Sequence, residues 1–135
     1  MAHIWEASYP QEINWSEEIT AKSIQSILDE GTAKWPDKVL CDFMDKTFTF
    51  REIDDMANRA AKGLKEMGVG PGVHVGLFLP NTPHYVVMFF AILRTGGRVV
   101  NYSPMYAPRE IQHQIEDSET DIMVTLDLAA LYPQV

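Results

Sequence analysis

The sequence predicts an α/β fold: a partial, mostly parallel sheet flanked by helices, with a β-hairpin ahead of it. Three observations carry this. Short strand-like segments at Val73–Leu79, Arg98–Tyr102 and Ile122–Thr125 alternate with helical patterns, the rhythm of strand–helix–strand units. The Val73–Leu79 run is apolar almost throughout, as a strand covered on both faces should be. Ahead of them, Val39 to Met44, an Asp45-Lys46 turn and Thr47 to Phe50 read as a hairpin.

Taken in order, residues 1–19 show no sustained period and read as an extended arm. Trp5, Tyr9, Trp15 and Ile19 would anchor it on a surface. Thr20 is placed to cap a helix running to about Ala33, with Ile24, Ile27 and Leu28 on one face, and Trp35-Pro36 ends it. Thr49-Phe50-Arg51-Glu52 is a capping box, in which hydroxyl and carboxylate satisfy each other's backbone amides. It opens the clearest helix, whose buried stripe is Ile53, Met56, Ala57, Ala60, Ala61, Leu64 and Met67. Gly68 ends it as a left-handed residue.

Asn81 or Thr82 caps the next helix, with Pro83 in its first turn, and Gly96-Gly97 stop it. Its Tyr85–Leu93 segment is apolar all round, which implies burial within a larger body. Pro108 to about Asp117 forms an amphipathic helix with Ile111 and Ile115 inward, and Leu128 to Tyr132 starts a further one. Strands joined by helical crossovers run parallel, and such sheets bind ligands beyond the carboxyl ends of their strands. Those ends carry Pro80-Asn81-Thr82 and Tyr102-Ser103-Pro104.

A chain of 135 residues fits one domain and buries about two thirds of the surface its unfolded form exposes. The net charge of −8 and the lack of clustered Lys and Arg argue against a nucleic-acid partner. Cys41 is the only cysteine, so no intrachain disulfide forms; with Leu40 and Phe43 nearby it reads as a small buried hydrophobe. The first ten residues lack the basic and apolar regions of a signal peptide. Met67 to Leu93 contains no Asp, Glu, Lys or Arg, yet prolines, Asn81, His74 and His84 interrupt it. Its longest apolar run falls well short of the roughly 20 residues a bilayer requires. No transmembrane segment is expected, and a cytoplasmic location follows.

The glycine-rich loop Gly68-Val-Gly70-Pro-Gly72 follows a helix and leads into a strand, and Val73 occupies the third glycine position of a dinucleotide fingerprint. It reads as a tight turn. His3, His74, His84 and His113 form no metal-ligand spacing with each other or with Cys41. His74 reads as a mid-strand, packed or hydrogen-bonded core residue, His113 as an exposed helix residue, and His84, in a first turn beside Asn81 and Thr82, as a candidate pocket residue. Glu116, Asp117, Glu119 and Asp121 surround a helix end and read as solvated.

Several segments, in order, resemble the ATP-dependent acyl-CoA ligases of the adenylate-forming superfamily. Trp35-Pro36-Asp37-Lys38 is similar to the entry to that family's first hairpin, and Thr47 to Ile53 to its threonine-aromatic-x-Glu-Leu helix start. Gly68 to Pro83 matches its glycine turn, buried strand and Pro-Asn-Ser/Thr corner. Ile92-Leu93-Arg94-Thr95-Gly96-Gly97 resembles its Leu-Lys-Ala-Gly-Gly motif, with Arg94 and Thr95 in place of Lys and Ala. Asn101 to Tyr106, Pro108 to Ile111 and His113 to Ile115 look most like medium- and long-chain fatty-acid–CoA ligases.

The resemblance implies a two-step reaction: carboxylate and ATP give an acyl-adenylate and pyrophosphate, then CoA displaces AMP. ATP, Mg²⁺ and CoA would serve the parent enzyme, with a fatty acid or other carboxylate as substrate. The family's nucleotide-holding motifs and catalytic lysine match nothing before Val135. The expectation is therefore an N-terminal fragment, with residues 1–19 as an arm and 20–135 as the first part of an adenylate-forming domain. It supplies scaffold, with no catalytic, cofactor-binding or metal residue assigned. Two alternatives stay open: a stand-alone α/β module binding a ligand near Asn81 and Tyr102, or a piece that self-associates as a homo-oligomer.

Overall fold

The computed structural model describes residues 3–10, 12–14 and 17–128. In chain order, a 3₁₀ turn (Glu6–Ser8) precedes α1 (Ser26–Lys34), β1 (Val39–Phe43), β2 (Lys46–Thr49) and α2 (Phe50–Glu66). Then come β3 (His74–Phe78), α3 (Pro83–Thr95), β4 (Arg98–Tyr102), α4 (Pro108–Ser118) and β5 (Ile122–Thr125). β1 and β2 form an antiparallel hairpin; β4, β3 and β5 form a parallel sheet in that order, with Phe78 paired to Tyr102 and Thr125.

Strand alternation sorts the core. Val75, Leu77 and, just beyond the strand, Leu79 pack with Ala61 and Leu64 of α2 and Ala91 and Ile92 of α3. On the opposite face Phe78 packs with Tyr102 and with Ile111 of α4. Gly76 lies on that second face, where a Cβ would stand 2.8 Å from the Tyr102 ring and 2.7 Å from Met123 Sδ. The central strand is notched there so that side chains from both neighbouring strands meet over it. A third cluster joins Leu28, Ile53 and Ala57 to Leu40, Phe48 and the outer side of α3.

The α2–β3 loop is a turn, as its position between helix and strand implies. The Gly68 N–H reaches Lys65 O and the Val69 N–H reaches Leu64 O, with Gly68 at φ 93°, which is a Schellman ending. The loop then seats on the end of α3. Gly96 is left-handed, and a Cβ on it would meet Pro71 at 3.1 Å; one on Gly97 would meet Val69 at 3.1 Å. The buried Thr95 hydroxyl closes the helix end, donating to Ile92 O and accepting from the Gly97 N–H.

Several expectations change. The first helix starts at Ser26 rather than Thr20. Ile19, 93% exposed, and the exposed Ile24 have nothing to pack on, and an extra helical turn without burial is not stable. Ile27 also faces outward, leaving Leu28 as the inward residue. The hairpin turn is Met44-Asp45, because Phe43 pairs directly with Lys46, and both turn residues have positive φ, as a two-residue hairpin loop demands. Met67 caps α2 from outside the helix and is exposed, so it drops out of the buried stripe.

Trp5 and Tyr9 are about half exposed and Ile19 is almost fully so; Trp15 and residues 129–132 of the expected last helix lie outside the described residues. The Tyr85–Leu93 segment is only half-buried apart from Ala91 and Ile92. No helix among the described residues is long and apolar enough to cross a membrane.

Candidate functional site

Beyond the Phe78–Tyr102 pair the chains of β3 and β4 diverge into two corners, 79–82 and 103–107. Between them lies an open groove of about 600 Å³, lined by Pro80, Asn81 and Tyr85 on one side and by Asn101 to Tyr106 on the other. A second groove of about 310 Å³ runs between β1 and the start of α3, and Asn81 and Tyr85 line both. Asn81 and Tyr85 together therefore form the partition between them.

Each corner is held differently. The ring of Tyr102, on the α4 face, lies over Gly76, and its hydroxyl meets Thr120 Oγ1 at 2.7 Å and Ser118 Oγ at 3.1 Å. Asn101, on the α3 face, accepts from the Tyr85 hydroxyl at 2.9 Å through its side chain and from Gln114 Nε2 at 2.8 Å through its carbonyl. Past Tyr102 the corner is bonded to itself, Met105 and Tyr106 donating to Ser103.

At the other corner Thr82 takes the N-cap backbone geometry of α3, but its hydroxyl makes no capping bond and is buried without a partner. Asn81 is exposed and lines both grooves.

The remaining candidates fall elsewhere. His84 faces a separate apolar pocket of about 130 Å³ with Phe48, Met56 and Val87, so it does not share a groove with Asn81. His74 is the first residue of β3 rather than a mid-strand one. Its Nδ1 lies 2.6 Å from Ser118 O, its Nε2 lies 3.0 Å from Arg98, and its N–H donates to Asp121. Asp121 is thus tied to the sheet, while Glu116, Asp117 and Glu119 are solvated. His113 is exposed, as its spacing implied, and His3 stacks on Trp5. Cys41 is half-buried beside the smaller groove, where desolvation pushes its thiol pKa up, the wrong direction for a nucleophile.

Arg94 is the charged residue that spacing left unexplained. It reaches from α3 to Asp29 of α1 and Asp54 of α2, both at 2.5 Å, and to Asn58 at 2.9 Å. Burial opposes its charge, but hydrogen bonds and charges from Asp54 and Asp29 outweigh that, and the guanidinium pKa is raised. It ties three helices together, away from the corner groove.

No lysine or arginine lines either groove at the corners, and no group of three acidic, His or Cys side chains among the described residues could hold a metal ion. The grooves at the corners therefore supply no cationic side chain for the phosphates of ATP and no set of donors for Mg²⁺ among the described residues. What the corners offer is neutral hydrogen bonding and aromatic surface.

Residues 28–134 match the family described as AMP-binding enzyme. The chain belongs to that family. The chain is 35% identical over 130 residues to a long-chain-fatty-acid–CoA ligase of Bacillus subtilis (strain 168), covering 96% of this chain and 23% of that ligase. It is 31% identical over 109 residues to tyrocidine synthase 3 of Brevibacillus parabrevis, covering 81% of this chain and 2% of the synthase. The N-terminal subdomain of Klebsiella oxytoca NpsA, solved with anthranilyl-AMSN, superposes with a TM-score of 0.76 over 80% of this chain and 28% of that one, at 20% identity. That likeness concerns the fold alone. The chain spans about a quarter of the curated fatty-acid ligases it matches.

Proposed function

We propose that this chain is the N-terminal portion of a fatty-acid–CoA ligase. The complete enzyme joins a fatty acid or similar carboxylate to ATP, releasing pyrophosphate, and then transfers the acyl group to CoA, releasing AMP. The observation that carries the reading is the 35% identity over 130 residues to a long-chain-fatty-acid–CoA ligase. In this reading residues 1–19 are an arm, residues 20–135 open the adenylate-forming domain, and the enzyme works in the cytoplasm.

The chain's own part is scaffold and wall. The Pro80–Pro83 and Tyr102–Tyr106 corners face a site whose phosphate- and metal-holding groups come from residues outside this sequence. Supporting this, the corner groove has no basic lining and no acidic cluster. No residue here is given a catalytic role, and the chain alone is proposed to hold no ATP, Mg²⁺ or CoA.

The test is ATP–pyrophosphate exchange driven by fatty acid. The 135-residue chain alone is expected to show none, while the complete protein shows exchange and CoA-dependent AMP release. Robust exchange by the isolated chain overturns the scaffold assignment. Failure of the complete protein with every chain length from about C8 to C18 overturns the ligase assignment.

A further inference from the structure

The β3–β4 hydrogen-bond register stops at Phe78 and Tyr102. Among the described residues no hydrogen bond runs directly between 80–84 and 103–107, so something other than the sheet sets how far apart the two corners stand. Tyr102 is fixed toward α4, but its anchors, Ser118 and Thr120, lie on the face away from α3. The link from the start of α3 to the end of β4, just before the other corner, is the 2.9 Å bond from the Tyr85 hydroxyl, in the first turn of α3, to Oδ1 of Asn101, whose backbone pairs with Leu77. Gln114 of α4 grips the carbonyl of the same residue at 2.8 Å. Asn101 is thereby held from both helical layers, and it is the last residue but one before the chain leaves the sheet.

We propose that Tyr85 is a positioning residue: through Asn101 it fixes the 103–106 corner against the 80–83 corner and sets the width of the groove between them. The proposal rests on the ligase reading for its consequence, but not for its geometry. Tyr85 is suited to this because its ring is braced separately, stacked on Phe89 at 6.1 Å between centroids. Removing the hydroxyl leaves the ring in place and cuts only the link. Tyr85 also lines the smaller groove and, with Asn81, separates the two spaces.

Tyr85→Phe and Asn101→Ala each remove the bond, whereas Asn101→Asp keeps an acceptor oxygen for the hydroxyl. Hydrogen exchange by NMR on the 135-residue chain reads the Met105 and Tyr106 amides, with Val75 and Leu77 as internal controls. A single neutral hydrogen bond accounts for about three- to tenfold in local opening. Exchange at Met105 and Tyr106 is expected to quicken by about that factor in Tyr85→Phe and Asn101→Ala, to stay near wild type in Asn101→Asp, and to be unchanged at the controls. Unchanged exchange at Met105 and Tyr106 overturns the positioning role whatever the protein's activity.

In the complete enzyme, Tyr85→Phe is expected to raise the KM for ATP, CoA or fatty acid by about three- to tenfold with kcat held within about twofold. Faster exchange with all three KM values unchanged overturns the claim that the groove's width matters to a ligand, and leaves the ligase reading intact. Absence of ligase activity in the wild-type protein would instead count against that reading.

Discussion

Two helix starts in this molecule are built on opposite plans. At α2 every early amide is occupied: Phe50 donates to Lys38 O, Arg51 to Pro36 O, and Glu52 to the Thr49 hydroxyl at 3.3 Å. The Glu52 carboxylate returns the favour by accepting the Thr49 N–H at 2.8 Å. At α3, Thr82 has the same extended backbone and the same hydroxyl, yet makes no cap, and Pro83 contributes no amide. The first start closes a hairpin onto a helix and packs Phe50 against Gly31 of α1, away from both grooves. The second borders both grooves. The unsatisfied Thr82 hydroxyl stands at the edge of the candidate site, whereas no residue of the satisfied α2 start lines either groove.

The largest effect is expected at the satisfied start. Thr49→Ala removes the hydroxyl that both donates to and accepts from Glu52, and should lower unfolding stability by about 1–2 kcal/mol in urea titration. A loss below about 0.3 kcal/mol would break the contrast, because the two threonines would then be equivalent. Thr82→Val is the matching change at α3. It is nearly isosteric and removes a buried hydroxyl that has no partner. Leaving such a group unpaired costs about 1 kcal/mol or more, so the variant should be as stable as wild type or up to about 1 kcal/mol more stable. Clear destabilisation would mean that the hydroxyl has an acceptor and that α3 is capped after all.

The same contrast explains what could be read from the residues alone. The α2 capping box was legible because Thr49 and Glu52 lie three positions apart, as were the α3 boundaries, set by Pro83 and Gly96; the Phe50 and Arg51 amides, bonded 12 and 15 positions back, were not. Arg94 was not, because its partners lie 40 and 65 positions away and helical spacing says nothing about them. Gly76 looked like an ordinary strand residue until Tyr102 and Met123 were brought over it from both neighbours. The corners were correctly placed at the strand ends, but Tyr85 was absorbed into an apolar run, and its bond to Asn101 depends on the packing of α3 against β4. His84 was drawn to the corner by sequence proximity. One residue step on a helix turns a side chain by about 100°, enough to carry His84 from the groove that Tyr85 lines into a separate pocket.

The smallest effect sharpens the comparison through pH. The Glu52 carboxyl lies below the ordinary glutamate range, first because it accepts the Thr49 backbone N–H and then because it accepts the Thr49 hydroxyl, with Lys46 adding a little. A carboxyl whose folded pKa is depressed stabilises the fold above its unfolded value, and the contribution fades as pH falls through the folded one. Wild-type chain should therefore lose stability on acidification across and below the usual glutamate range. Glu52→Gln should be less stable at neutral pH and lose less over the same interval, so the two urea-midpoint curves converge at the acid end. Since the carboxylate is fully exposed, solvent screening keeps the difference small, and added salt weakens only the Lys46 part. Parallel curves would show that the Thr49 contacts do not distinguish the charged carboxylate from the neutral one. The two helix starts would then differ in bond count but not in electrostatics.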